Sequence, residues 1–182
     1  MNDLEKLFIS ELKDIYDAEQ QLVEALEDME KNAVSEDLKT AFRVHREQTT
    51  IHVNRLEEIF REFGEKPKRK TCDGIEGIID EGQKMAKEYN GNAALDAALI
   101  AAGQKAEHYE IASYGSLCSW AAELGRERVV TLLEQTLEEE READATLTEL
   151  AESAVNSEAR QQDTGKKSET AASISKIISH GT

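Results

Sequence analysis

The chain is poor in the residues that interrupt regular structure. It holds one proline and ten glycines among 182 residues, where proline alone usually takes about 5%. So little turn chemistry argues against a sandwich or barrel of many short strands. The two cysteines, Cys72 and Cys118, stand in unrelated contexts without Cys-x-x-Cys spacing. Neither a disulfide framework nor a structural zinc site is expected, and both read as inert thiols. Basic residues are scarce: 22 Lys plus Arg face 38 Asp plus Glu, a formal charge of −16. A grip on nucleic acid or anionic lipid needs a basic face, and the densest basic stretch, Lys66 to Lys70, reads as a solvated loop. Long apolar runs are missing as well, with none near the roughly 18 residues of a membrane span. The acidic start Met1-Asn2-Asp3-Leu4-Glu5 lacks the basic-then-apolar order of a signal peptide. The expectation is a cytoplasmic protein with no nucleic-acid partner and no membrane partner.

What the chain does have is helix-forming residues in helical rhythm. The apolar 39% is dominated by Leu, Ala and Ile. From Leu4 to Ala33, Phe8, Leu12, Ile15, Leu22, Leu26 and Met29 recur at steps of three and four once position 19 is counted. Ser35-Glu36-Asp37 reads as a helix start, and a second stripe runs from Leu38 through Phe42, Leu56 and Ile59 to Phe63, closed by Gly64. A loop over 65–73 contains the proline. A shorter helix is expected over 74–89, a long one over 93–124 closed by Gly125, and a fourth over 126–155. Two helical hairpins joined by one long connection make an all-α four-helix bundle with a crossover and a short extra helix. The domain boundary is placed at 1–156, with 157–182 as a flexible polar tail. Ile174, Ile177 and Ile178 near its end are not expected to dock.

Several core slots are filled by polar residues. Glu19 lies between Ile15 and Leu22, and Glu140 between Thr136 and Leu147. Asp144, about 40° around the helix from Glu140, is also expected to face inward. Glu110 lies within about 50° of the third stripe, and Glu107 nearer its boundary. His45, Thr49 and His52 occupy successive slots of the second helix. Glu19 and Thr49 are equidistant from the first interhelical turn, and Glu110 and Glu140 from the second, so four helices present polar groups at one height. Ionised carboxylates gathered in an apolar interior require protonation, a basic partner or a bound cation. Lys105 and Arg141 face elsewhere, which favours one or two divalent ions. Oxygen ligands with one or two imidazoles suit iron or manganese. The competing reading is a polar layer that only fixes helix register. His45 reads as a hydrogen-bonded core histidine, and His108 as packing on the connecting helix or a partner chain.

Four segments carry a resemblance: Asp14-Ile15-Tyr16-Asp17-Ala18-Glu19-Gln20-Gln21-Leu22; His45 with Glu47-Gln48-Thr49; Glu107-His108-Tyr109-Glu110-Ile111-Ala112-Ser113-Tyr114-Gly115; and Thr136-Leu137-Glu138-Glu139-Glu140 with Asp144. In order and spacing, over about residues 3–155, they resemble the YciE/YciF family of bacterial ferritin-like proteins. The resemblance implies a rubrerythrin-like four-helix bundle, a homodimer and an association with stress responses. Ferritin-like di-iron centres take a Glu from each of two helices and Glu-x-x-His from the other two. Carried over, Glu19 and Glu110 match the single-Glu slots, Glu107 is an extra carboxylate, His52 matches one His slot and Glu140 the fourth-helix Glu. Thr49 stands where the second-helix Glu belongs, and Ala143 where the fourth-helix His belongs, with Asp144 beside it as a substitute. The metal candidates are therefore Glu19, His52, Glu107, Glu110, Glu140 and Asp144, holding iron or manganese for redox chemistry with oxygen or peroxide. The alternative is a metal-free, non-catalytic structural homodimer of the same fold.

Overall fold

The computed structural model describes residues 1–160. The tail residues Ile174, Ile177 and Ile178, and most of the segment 157–182, lie outside the described residues. Helix α1 spans Asp3–Asn32, opened by Asn2, whose side chain accepts the Glu5 N–H at 2.8 Å. Helix α2 spans Glu36–Glu62 with Ser35 as its cap. The sharp turn between them is held from outside the hairpin. The buried Asp96 carboxylate accepts the Val34 and Ser35 N–H groups, each at 2.8 Å. Helix α3 covers Asp73–Glu88, α4 Leu95–Glu123 and α5 Glu127–Leu150. Gly64 and Gly125 end α2 and α4 in the left-handed region, at φ +66° each, where a side chain would be strained.

Among the described residues the structure is all helical. Helix α1 packs along α2 and α4 along α5; the hairpins meet through α2–α5 and α1–α4, and α3 lies against α4 and α1. The expected four-helix bundle with its crossover and extra helix is therefore present, with helix limits shifted by one or two residues except at the end of α5, expected near 155 and found at Leu150.

The chain end differs. A π turn, Ala151–Val155, follows α5, and helical structure continues to Arg160, past the boundary set at 156. Because a π turn advances less angle per residue, it rotates Val155 back onto the inward face, where it is buried beside Leu38 and Leu99.

The long connection is tied to α1 by one buried carboxylate. Asp17 accepts the Cys72 N–H at 2.9 Å and bonds Arg69 and Gln21, while the Lys70 N–H reaches the Lys13 carbonyl at 3.1 Å. The basic loop thus binds the bundle's own acids, Arg69 to Asp17 and Lys70 to Asp14. The apolar interior falls into two clusters. One contains Phe8, Leu12, Ile15, Leu56, Phe60, Leu117 and Leu133; the other Leu26, Leu38, Phe42, Leu99 and Leu147. Between them lies the polar layer.

Candidate metal centre

That layer is built by one or two residues from each of the four bundle helices. Glu19 comes from α1, His45 and His52 from α2, Glu107 and Glu110 from α4, and Glu140 from α5, all buried. On a helix, residues seven apart return to the same face after two turns, which places both histidines toward the axis. Their donor atoms form two sets within which all lie inside 4.8 Å of one another: Glu19, His52 and Glu140, and His45, Glu107, Glu110 and Glu140. Glu140 belongs to both. Its Oε1 lies 2.9 Å from His52 Nδ1, and its Oε2 3.3 Å from His45 Nε2. Glu19 Oε2 stands 3.5 Å from His52 Nδ1, and Glu107 Oε1 3.2 Å from His45 Nε2. One carboxylate thus faces two adjoining donor sets, one oxygen to each.

His52, held as a cation by its neighbours, makes ion contacts with Glu19 and Glu140, but hydrogen bonding in the layer is incomplete. His52 Nδ1, Glu19 Oε2, Glu107 Oε2, Glu110 Oε1 and both oxygens of Glu140 are buried and make no hydrogen bond. Each such orphan costs about 1–3 kcal/mol, and more when charged. No Lys or Arg enters the layer among the described residues; Lys105 pairs with Glu81 and Arg141 with Glu138 on the surface. Burial drives all four carboxylates upward. Glu107 rises to about 7 and Glu110 well above the ordinary range, with Glu19 and Glu140 raised as well. For His52, burial favours the neutral ring, but the Glu19 charge and the Glu140 contacts outweigh it and push the imidazole to about 10. The donor set therefore fits a cation, which would satisfy the orphaned atoms and neutralise the converging charge.

Outer groups orient the inner ones, as they do around metal-binding histidines. His52 Nε2 lies 2.8 Å from Glu139 Oε2, and Arg55 holds the other oxygen of Glu139 at 2.9 Å. Hydrogen bonds from Arg55 keep Glu139 below the usual carboxylate range. Donation from Nε2 to this carboxylate leaves Nδ1 directed at Glu19 and Glu140. His45 Nδ1 lies 3.4 Å from Gln48 Oε1; donation there likewise frees Nε2 for the centre. Tyr114, fully buried, donates its hydroxyl hydrogen bond to Glu19 Oε1.

Five of the six candidates from the sequence meet here: Glu19, His52, Glu107, Glu110 and Glu140. Asp144 does not. Its angular offset from Glu140 carries it to the α4–α5 edge, where the partly exposed carboxylate accepts from Gln104 at 3.3 Å and sits 3.5 Å from His108 Nδ1. His108 is exposed and faces this α5 edge rather than the connecting helix α3. Conversely, His45 is a member of the centre and not an isolated core histidine. Thr49 is buried but contributes nothing, because its hydroxyl donates to the His45 carbonyl at 2.9 Å. Glu139 and Arg55 carry no sequence signal, since an acid within Glu138-Glu139-Glu140 reads as solvent-facing. Both thiols are pushed up to about 11 by burial, in keeping with their reading as inert.

A family described as a domain of unknown function (DUF892) matches residues 3–160. Protein YciF of Escherichia coli strain K12 is 42% identical over 163 residues, 89% of this chain and 98% of that protein. The crystal structure of the E. coli stress protein YciF superposes with a TM-score of 0.81 at 43% identity, over 86% of this chain and 99% of that one. The YcfI protein of Rhodopseudomonas palustris gives a TM-score of 0.79 at 40% identity, over 81% and 94%. With a family match across nearly all the described residues and a fold shared at that identity, the chain belongs to the YciE/YciF family, the DUF892 domain.

Proposed function

We propose that this chain is a stress-associated, ferritin-like protein of the cytoplasm that holds two transition-metal ions, iron or manganese, at the centre of its bundle. The observation that carries the reading is Glu140, buried with both oxygens unpartnered and each turned to a different histidine-containing donor set. Glu19 and His52 would hold one ion and His45, Glu107 and Glu110 the other, with Glu140 shared between them. Carboxylates with single imidazoles are a donor chemistry suited to iron and manganese. When bound, such a pair supplies electron transfer to dioxygen or peroxide. The chain's own contribution is to hold the donors at one level, to fix the tautomers of both histidines through Glu139 and Gln48, and to keep bulk water from Glu19 and His52. The stress association follows the E. coli relative. A homodimer is the proposed assembly, tested by the sedimentation mass of the full chain.

The test of the centre is metal analysis of protein purified without chelator, beside a Glu19→Ala/Glu140→Ala variant. About two ions per chain in the wild type and a large loss in the variant are expected. Wild-type protein that neither retains nor takes up iron or manganese supports instead the metal-free structural homodimer. Thr49, tied to the backbone, and Ala143, without a donor, are the features consistent with that second reading.

A further inference from the structure

The two halves of the centre differ in their access to the outside. An open groove of about 320 Å³ runs along the α2–α5 seam, at the small end of the roughly 300–1,000 Å³ typical of ligand pockets. His45 and Glu107 form part of its lining, although they are only 6% and 2% exposed. Glu107 Oε2, buried and without a partner, belongs to this half of the centre. Glu19 and His52 take no part in the groove and are 0% exposed. Behind them Tyr114 bonds Glu19 and Glu139 bonds His52, with Arg55 holding Glu139 in turn. Ala143, the small residue that stands where the ferritin-like pattern has a histidine, is also part of the lining.

We infer that this groove admits a small uncharged molecule to the His45–Glu107 half of the centre, while the Glu19–His52 half stays closed. The inference rests on the metal-binding reading and names the class of co-substrate that the site takes. The walls carry the argument about charge. They are mostly apolar or hydroxyl-bearing, with Ala41, Val44 and Thr146 among them, and the charged residues at the seam are Asp37 and Glu142, both acidic and exposed. No Lys or Arg lines the groove, so no lysine or arginine along its walls would draw an anion in past Asp37 and Glu142. A hydrated metal ion finds few ligands along walls of this kind. A molecule the size of dioxygen, hydrogen peroxide or a single five-membered ring fits the volume and the chemistry.

The test compares the full-length chain with Ala143→Leu, which extends a side chain into open groove space, and with Ala143→Ser, which leaves the passage open. In the first arm cobalt(II) is loaded as a spectroscopic probe and imidazole is titrated at a pH where it is uncharged. Wild type and Ala143→Ser are expected to show a saturable change in the cobalt absorption. Ala143→Leu is expected to bind imidazole about tenfold more weakly, the equivalent of about 1.4 kcal/mol, with cobalt stoichiometry unchanged. In the second arm metal-free protein is treated with diethyl pyrocarbonate, itself small and uncharged, and modification is mapped by mass spectrometry. His45 is expected to react in the wild type and to be protected in Ala143→Leu, with exposed His108 reacting equally in both. Equal imidazole affinity and equal His45 labelling in wild type and Ala143→Leu overturn the groove as the route. Failure of the wild type to bind cobalt overturns the metal reading instead, and the labelling arm still decides whether the groove reaches His45.

Discussion

Replacing Glu107 by Gln should change stability in opposite directions with and without metal. The carboxyl is lifted from 4.5 to about 7, chiefly by burial. A folded-state value above the unfolded one means that stability from this group is complete below pH 4.5 and is lost as pH rises through about 7. At about 1.4 kcal/mol per unit, the loss approaches about 3 kcal/mol. Glutamine carries no charge to bury, and its amide can donate toward Glu140, so in chelator above pH 7 the variant should be the more stable protein. For a chain of this size about 1 kcal/mol moves the melting temperature by about 2–4 °C, which predicts a gain of up to about 6–12 °C. Below pH 4.5 the advantage should vanish. Saturating manganese(II) should reverse the order. At a hundredfold excess over Kd a ligand adds about 2.7 kcal/mol to the form that binds it, and the variant has lost one of the donors. Differential scanning fluorimetry across pH, with chelator and with manganese, reads all of these. A variant no more stable than wild type in chelator above pH 7 refutes the claim that the layer is strained by its own charge.

Arg55→Ala should weaken manganese binding by about 10–100-fold, measured by competition with a chelating dye. The six inner donors are untouched, but Glu139 no longer has the partner that orients it toward His52; unchanged affinity argues against that positioning role. Asp17→Ala should cost about 2–4 kcal/mol, from hydrogen bonds to a charged group worth about 1.5–3 kcal/mol each, and should speed amide exchange at Cys72. Because the Cys72 N–H, Arg69 and Gln21 together outweigh burial and hold Asp17 below 3.8, its contribution is present above pH 3.8 and disappears as acid titrates the folded carboxylate. Exchange at Cys72 as slow in the variant as in the wild type would show that Asp17 does not anchor the connection.

Hydrophobic periodicity made α1, α2 and α5 legible because each buries one stripe, a property of spacing alone, whereas α4 is buried on several sides and showed as a long apolar helix. The height of the polar layer was legible for the same reason: distance from a hairpin turn fixes depth when neighbours are antiparallel. Angle around the helix was less well determined. Asp144 and Glu107 lie at comparable offsets from their stripes, yet α4 is flanked by α5, α1 and α3 and turns Glu107 inward. Asp144 instead finds Gln104 and His108 at an edge. A pattern read along one helix does not report how many neighbours that helix has. The same limit hid Glu139 and Arg55, whose importance comes from pairing across α2 and α5.

On the proposed metal-binding reading, the departures from the ferritin-like ligand pattern would compensate one another. Loss of the α5 histidine at Ala143 would leave the second donor set without an imidazole. His45, on α2 and one turn before Thr49, brings Nε2 to 3.3 Å from Glu140 and 3.2 Å from Glu107. Thr49, in turn, needs no carboxylate if Glu107 supplies the additional one from α4. On the metal-binding reading, one imidazole and one carboxylate would come from other helices than in that pattern, and each half would still have a nitrogen and several oxygens. With the imidazole on α2, position 143 carries only a methyl group, which lines the groove. If the proposed centre and groove hold, restoring histidine at 143 should close the groove and make His45 dispensable for metal binding. An Ala143→His/His45→Ala variant that keeps its metal, where His45→Ala alone loses one ion, would establish that the two imidazoles serve the same position.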